Sequence, residues 1–400
     1  MKKTRLIIIT SQPINKFNAR RFGLKVNIKN FSKEFWCLLP LIDDNLSKEI
    51  DSKNYRIINH KSIKNIKTFT GLVKNILKLK SNFYFINWSG MHKYNKLMEI
   101  LLKYRGGTKI IRMFSNVPTY SSSFKSALIL FKLSKFWFLK KALTYSKNKI
   151  IDILYKPFNV MPKYFFLESS YQGKKFNKEN KFFFYINSFD YSEFLRIRNK
   201  QNKKNNIIFI DSEKENSFES RLLKLKRKNF NKELYWSTLL NIFSVFEKNF
   251  KRKVKVAAHF RRSIKNVPIN RKFIFDQTPQ LIRDSKIVLV HNSTTVIWAV
   301  LFNKPIIFIN FENFKYLSMD TNDEIEFYKK NLGANVINVD SNYKFKLSKN
   351  FHKNLFRIDK KKYELFKNNF IKNKFMNHKD LNGWQTMMEK LKKIDHSKYI

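Results

Sequence analysis

The segment His291-Asn292-Ser293-Thr294-Thr295 sets an imidazole, an amide and three hydroxyls between two apolar runs, Ile287 to Val290 and Val296 onward. Such side chains just ahead of a helix, with the free N–H groups of its first turn, suit a phosphate. A second group, His259 with Arg261 and Arg262, follows the run Lys253 to Ala258. A guanidinium grips phosphate oxygens in pairs and adds charge. Asp211-Ser212 ends a third run, Ile207 to Ile210, and Thr278-Pro279 reads as the N-cap and first position of another helix. Cations, hydroxyls, imidazoles and a carboxylate in one set fit a nucleoside monophosphate or diphosphate. Asp211 and Asp190, the latter in Asn187 to Tyr191, are the candidate general bases. Each residue also has a structural use: a strand cap for His259, an N-cap for Ser293 and Thr294, a cap-orienting role for His291, and solvated charge for the arginines.

These residues meet only if the intervening elements put them on one edge. Thr278 to Ile309 reads as helix, buried strand, polar turn, helix and buried strand, with Pro305 opening the last strand where its missing N–H matters least. Arg5 to Thr10, Glu34 to Leu39, Tyr55 to Ile58, Phe83 to Ile86 and Lys109 to Met113 are further strand signals. Helices are expected at Phe22 to Phe31, Thr70 to Lys80 and Lys93 to Tyr104, with Gly106-Gly107 ending the last. The polar run Arg198 to Asn206 marks a domain break. Beyond it come the Ile207 to Ile210 strand, a long helix from Lys232 to Phe250 with Leu239, Phe243 and Phe246 on one stripe, and the Lys253 to Ala258 strand, with Arg271 to Phe275 as a further short one. Alternating strands and helices imply parallel sheets, whose ligands sit beyond the carboxyl ends of the strands. The expected fold is α/β, two Rossmann-like domains facing a central cleft: residues 1–197 on the acceptor side, 207–345 on the nucleotide side, and a helical, Lys-rich tail over 346–400.

Composition narrows the classes. A chain of 400 residues with 43% hydrophobic content suits two domains with cores of their own. The single cysteine, Cys37, excludes a disulfide framework and fits a reducing compartment. Lys2, Lys3 and Arg5 precede apolar residues that stop at Thr10-Ser11-Gln12-Pro13, which reads as a strand and loop rather than a secretory signal. No run reaches the roughly 18 apolar residues of a membrane span. Ala127 to Leu143 carries Lys132, Lys135, Lys140 and Lys141 among aromatics, a pattern shared by a membrane-surface helix and a core-packed surface helix. The net charge of +51 combines compositional bias with attraction for an anionic partner: a nucleotide, a nucleic acid or an anionic membrane leaflet. A GK[ST] phosphate loop, a GxGxxG turn after the first strand, zinc-type spacing and a GxSxG elbow are all missing, which weighs against P-loop kinases, dehydrogenases and α/β-hydrolases.

The run TPQLIRDSKIVLVHNSTTVIWAVLFNKPIIFI resembles the nucleotide-binding half of bacterial surface-polysaccharide glycosyltransferases of GT-B architecture, among them sialyltransferase-like enzymes of capsule and lipopolysaccharide synthesis. VKVAAHFRRS is similar to their strand-plus-His segment, and RFGLKVNIKNFSKEFWCLLPLI to the opening of their acceptor domain. The chain departs from them in carrying Phe260 after His259, where His-Pro is common, and in lacking His or Pro after Asp211. The resemblance implies donor binding by His259, Arg261, Ser293 and Thr294, a reaction in the interdomain cleft, and a nucleotide-sugar as substrate with no separate cofactor and no metal. It implies a glycan or lipid-linked acceptor and a cytoplasmic protein, peripheral on the inner face of the cytoplasmic membrane. A phosphopolyol transferase, a nucleotide-sugar epimerase and a catalytically dead surface-glycan scaffold share the architecture. A basic nucleic-acid-binding protein is the reading from another class; the aromatic residues, however, follow strand and helix patterns with no nucleic-acid module, so no nucleic acid is expected.

Overall fold

The computed structural model describes residues 4–50, 57–90, 94–113, 158, 160–169, 171, 182–199, 206–214, 230–259, 262, 271–316, 321–347, 354–372 and 382–397. The Ala127 to Leu143 stretch and Arg261 lie outside the described residues. No helix among the described residues is long and apolar enough to cross a membrane.

The first domain is a parallel sheet of seven strands: β1 (Thr4–Thr10), β2 (Phe31–Cys37), β3 (Ile63–Asn65), β4 (Phe83–Trp88), β5 (Gly107–Met113), β6 (Tyr164–Leu167) and β7 (Phe182–Tyr185), in the order β3-β2-β1-β4-β5-β6-β7. Alternate residues serve opposite faces, as the pleat requires. Leu6, Ile8, Tyr84 and Ile86 enter one core layer, while Ile7, Ile9, Phe83 and Phe85 enter the other. Helices α1 (Lys16–Arg21), α2 (Leu39–Ile42), α3 (Asp44–Ile50), α4 (Phe69–Leu77) and α5 (Asn95–Tyr104) lie along this part of the chain.

Four elements differ from expectation. The first helix precedes Phe22 rather than following it, because Asn15 caps it: its side chain accepts from the Asn18 N–H at 2.8 Å. Gly23, at φ +70°, then turns the chain beneath Trp384, where a Cβ would meet the indole at 2.5 Å. The third strand forms at Ile63–Asn65, and Ile57 makes only an isolated bridge to Asn15. The aromatic segments that build β6 and β7 carry no polar alternation and were not expected as strands.

The connecting helix α6 (Phe189–Ile197) starts at the Ser188 cap, whose hydroxyl accepts from the Tyr191 N–H at 3.1 Å. Its Tyr191 and Ile197 belong to the second domain's core, although the sequence places the helix with the first.

The second sheet holds β8 (Asn206–Ile210), β9 (Val254–Ala257), β10 (Phe273–Ile274), β11 (Ser285–Val290), β12 (Ile306–Phe311) and β13 (Asn335–Val339), all parallel, in the order β10-β9-β8-β11-β12-β13. Counted from its own first strand this is 3-2-1-4-5-6, the doubly wound order of dinucleotide-binding domains. Helix α7 (Lys232–Phe250) buries Tyr235, Trp236, Leu239, Phe243 and Phe246 on one face of the sheet. Helices α8 (Thr278–Arg283), α9 (Val296–Leu301) and α10 (Thr321–Leu332) complete the domain.

The expected tail is instead divided between the two cores. Helix α11 (Lys360–Phe366), continued by a π-turn over Lys367–Ile371, packs Tyr363, Phe366, Phe370 and Ile371 into the second core. Helix α12 (Gly383–Ser397) crosses to the first sheet, where Trp384, Met387, Met388 and Leu391 are fully buried beside Leu6, Ile8 and Phe22. By area and cavity arguments, truncating a core Trp of this kind costs about 3–5 kcal/mol.

Candidate functional site

Both domains line one cleft, with a volume of about 960 Å³ including its open mouth. The first domain contributes Arg20 and Arg21 from α1, and the connecting helix contributes Phe189, Asp190, Glu193 and Ile197. The second contributes the ends of β8 and β9 (Ile210, Asp211, Ala257, Ala258, His259), the start of α8 (Asp276, Thr278, Pro279, Gln280) and the turn into α9 (Thr294, Thr295, Trp298). The floor lies where the strand order reverses between β8 and β11, the position at which doubly wound sheets hold ligands. His259, Thr278, Thr294, Thr295, Asp211 and Asp190, separated by up to about a hundred residues of chain, therefore meet here.

Asp190 occupies the first turn of α6. Burial raises its pKa to about 6; the Arg21 charge and a hydrogen bond from Trp298 oppose the rise, while the charge of Glu168 adds to it. A carboxylate tuned towards neutral pH and facing a cleft suits proton abstraction.

Asp211 has a different environment and is poorly suited to act as the base. Arg262 donates from Nε to Oδ2 at 2.7 Å and from Nη2 to Oδ1, and the backbone N–H groups of Glu213 and His259 add hydrogen bonds at 2.9 and 3.3 Å. Burial alone would raise its pKa, but the Arg262 charge and hydrogen bonds outweigh burial and hold it below the ordinary carboxylate value. Arg262, expected to bind donor, is 2% exposed and spent on Asp211, its guanidinium lying 5.5 Å from the Trp236 ring and 5.8 Å from Phe273. Together they clamp the β8 and β9 turns.

His291 is also a core residue rather than a donor contact. Its Nδ1 lies 2.7 Å from the Ile309 carbonyl, which can only accept, so Nδ1 carries the proton and Nε2 accepts from the Tyr235 hydroxyl at 2.9 Å. Phe209, Phe311 and Phe314 enclose the ring, and burial lowers its pKa to about 4, leaving it neutral. Strand parity explains the placement: His291 continues the face of Ile287 and Leu289, which points under α7.

The polar turn also differs from expectation. Ser293 does not line the cleft; its hydroxyl donates to Thr295 Oγ1 at 2.9 Å and accepts from the Thr295 N–H. The N–H groups of Val296, Ile297 and Trp298 donate to the carbonyls of Ser293, Thr294 and Thr295. The N–H groups from Thr295 to Trp298 are thus already bonded within the turn, and Thr294 and Thr295 line the cleft. Thr278 is the first residue of α8, after an N-cap at Gln277, rather than the cap itself.

Arg20 and Arg21 also line the cleft, and Glu193, Asp276, Gln280 and Trp298 do so without having been expected there. Asp276 and Glu213 lie at φ 57° and 51°, left-handed conformations that concentrate at functional sites. Nothing in the residue types alone marks them.

No family model and no curated protein matches the chain. Among solved structures the chain is similar to the UDP-GlcNAc 2-epimerase from Methanocaldococcus jannaschii, at 10% identity over 98% of this chain and 99% of that one, with a TM-score of 0.45. The spinosyn forosaminyltransferase SpnP is similar at 10% identity over 98% and 99%, with a TM-score of 0.48. MurG from Acinetobacter baumannii is similar at 9% identity over 98% and 99%, with a TM-score of 0.41.

Proposed function

We propose that this chain is a glycosyltransferase of GT-B type, moving a sugar from a nucleotide-activated donor to a hydroxyl of a surface-glycan or lipid-linked acceptor without a metal ion. The observation that carries the reading is Asp190: a carboxylate with its pKa raised to about 6, on the helix that joins the two domains, facing a cleft built at the β8/β11 reversal. In this reading Asp190 takes the proton of the acceptor hydroxyl as that oxygen attacks the anomeric carbon and the nucleotide phosphate leaves. His259 and the hydroxyls of Thr294 and Thr295 meet the phosphates, and Arg20 and Arg21 offset the developing negative charge from the opposite wall. The net charge of +51 favours work at the anionic inner face of the cytoplasmic membrane, where a lipid-linked acceptor would lie.

A nucleotide-sugar epimerase is the second reading, favoured by one observation: Glu193 and Asp276 line the same cleft as Asp190, giving more than one carboxylate for proton transfer. Conversion of a nucleotide-sugar without any acceptor would select it.

The test is thermal stabilisation by CMP, CDP, UDP and GDP. One nucleotide should stabilise the protein, His259→Ala and Thr294→Ala should remove that stabilisation, and Asp190→Asn should keep it while abolishing transfer. Stabilisation by single-stranded nucleic acid alone, with steep salt dependence, would refute the transferase reading.

A further inference from the structure

The four most exposed large hydrophobic side chains among the described residues are Tyr104 (87%), Met161 (66%), Leu77 (59%) and Phe182 (56%). They come from four separate segments, yet the fold gathers them on one edge. Leu77 ends α4 ahead of β4, Tyr104 ends α5 ahead of β5, Met161 precedes β6, and Phe182 opens β7. These strands are parallel neighbours, so their amino ends lie side by side. Further contacts tie the segments together. Arg105 Nη2 donates to the Leu79 carbonyl at 2.6 Å, joining the ends of α4 and α5. Lys103 Nζ donates to the Phe158 carbonyl at 3.2 Å, joining α5 to the approach to β6. The Tyr164 and Phe182 rings lie 5.7 Å apart, joining β6 to β7.

A single apolar side chain on a surface is ordinary, whereas several converging on one edge among cations mark an interaction face. The cations here are Lys78, Lys80 and Lys163, all exposed. No aspartate or glutamate occurs in residues 77–82, 103–108 or 160–164. Asp395, at the same edge, accepts from the Thr4 and Tyr84 hydroxyls at 2.9 and 2.5 Å. The apolar tips stand on turns and element ends between lysines. That is the pattern of side chains that dip into a headgroup layer while ammonium groups stay among lipid phosphates. A second copy of this chain would bring like charges together at the face, and a nucleic acid would leave the apolar tips in water.

We propose that the amino edge of the first sheet is a docking face for an anionic lipid bilayer, with Tyr104, Met161, Leu77 and Phe182 entering the headgroup layer and Lys78, Lys80 and Lys163 meeting lipid phosphates. The cleft opens at the carboxyl ends of the strands, so a bound bilayer leaves it clear, about 20 Å away by strand length. On the transferase reading, an acceptor anchored in that bilayer would reach the cleft with the outer end of its glycan; the docking itself does not rest on that reading.

The experiment is partition of the full chain onto vesicles of phosphatidylglycerol and phosphatidylethanolamine, with pure phosphatidylcholine vesicles as the neutral comparison. Cys37 is buried, so a Met161→Cys variant carries an environment-sensitive fluorophore at that site alone. The expected result is binding to the anionic vesicles only, with the emission shifting to the blue as the fluorophore enters the headgroup layer. Leu77→Ser with Tyr104→Ser should weaken partition at least about tenfold, and Lys78→Gln and Lys80→Gln about fivefold each. Lys360→Gln with Lys361→Gln, which removes two exposed charges from α11, should change it by less than about twofold, because screening keeps such effects local. Equal weakening by the α11 pair would show that net charge alone binds, and overturns the proposal. So does an unshifted emission on vesicles that carry the protein, or a failure to bind anionic vesicles. Self-association abolished by Leu77→Ser with Tyr104→Ser would assign the face to a second copy and also overturn it. Sugar transfer enters none of these measurements, so the docking face and the transferase reading stand or fall separately.

Discussion

Each domain buries an arginine–carboxylate pair against tryptophan at the carboxyl end of its sheet, and the two pairs serve different ends. In the first domain Arg112 of β5 donates from both Nε and Nη2 to one oxygen of Glu168, at 2.9 and 2.6 Å, with its guanidinium 4.1 Å from the Trp384 ring. In the second, Arg262 spans both oxygens of Asp211, which also accept two backbone N–H groups from adjacent turns. The second pair fixes the β8 and β9 turns that line the cleft. The first leaves a negative charge whose field reaches Asp190 and helps raise its pKa. The same chemical device can therefore shape a site or tune it, depending on where its carboxylate spends its lone pairs. Neither pair is evidence of stability in itself, since desolvation offsets much of the Coulomb attraction.

The sharpest test of the tuning half is Asp190→Asn, for which transfer should fall by about 10²- to 10⁴-fold, the range for loss of a general base. In the unaltered protein, the proposed transfer should rise with pH through about 6 as Asp190 ionises. The stability consequence has the opposite sense. An acid with a raised folded pKa binds its proton more tightly when folded, so its contribution to stability falls as pH rises from about 4 to about 6. Asp190→Asn should flatten that slope in urea titrations. Glu168→Gln should move the activity midpoint down; an unmoved midpoint would break the link between the first pair and the base.

The shaping half predicts that Arg262→Ala destabilises by about 3–5 kcal/mol in denaturant unfolding, because Asp211 is left charged and buried. Adding Asp211→Ala should recover part of that loss, and failure to recover any would show that the clamp works through packing on Trp236 alone. Next in size is His291, whose pKa burial lowers to about 4. Its unfolded form protonates more readily, so stability is fully present above about 6.5 and falls by on the order of 3 kcal/mol as pH drops towards 4. A His291→Gln variant should lose that acid sensitivity. The smallest effect expected is at Gly383, where a Cβ would sit 2.0 Å from the Asn187 carbonyl and 3.2 Å from Arg112 Nη2. Gly383→Ala should cost about 1–3 kcal/mol, as overpacking usually does, and should disturb the first pair without touching the second.

Much of the architecture was legible because buried parallel strands write themselves as short apolar runs. LIII in β1, IIFI in β8 and IVLV in β11 were all readable. The Phe-rich β6 and β7 were not, since YFFL and FFFY lack β-branched residues and any polar alternation. Within the site, the grouping of His259, Thr294 and Thr295 followed from strand ends, whereas Thr278 was read as a helix start and Asp190 as part of the Asn187 to Tyr191 segment. The roles of Asp211, Arg262 and His291 did not, because a residue just past a strand can turn into the cleft or continue the pleat into the core. For His291 parity decides, and the answer was present in the alternation of Ile287, Leu289 and His291. For Arg262 the deciding partners, Asp211 and Trp236, are remote in sequence.

The placement of α12 bears on the order in which the chain can fold as it is synthesised. The first domain's sheet is made early, yet its core lacks Trp384, Met387, Met388 and Leu391 until residues near 390 have emerged, and Asp395 then bonds Thr4 and Tyr84 at 2.9 and 2.5 Å. The second domain, whose strands lie between, can close around its own residues first. The nascent first sheet therefore waits with an apolar face uncovered for most of translation, the circumstance in which a chain depends most on holding chaperones.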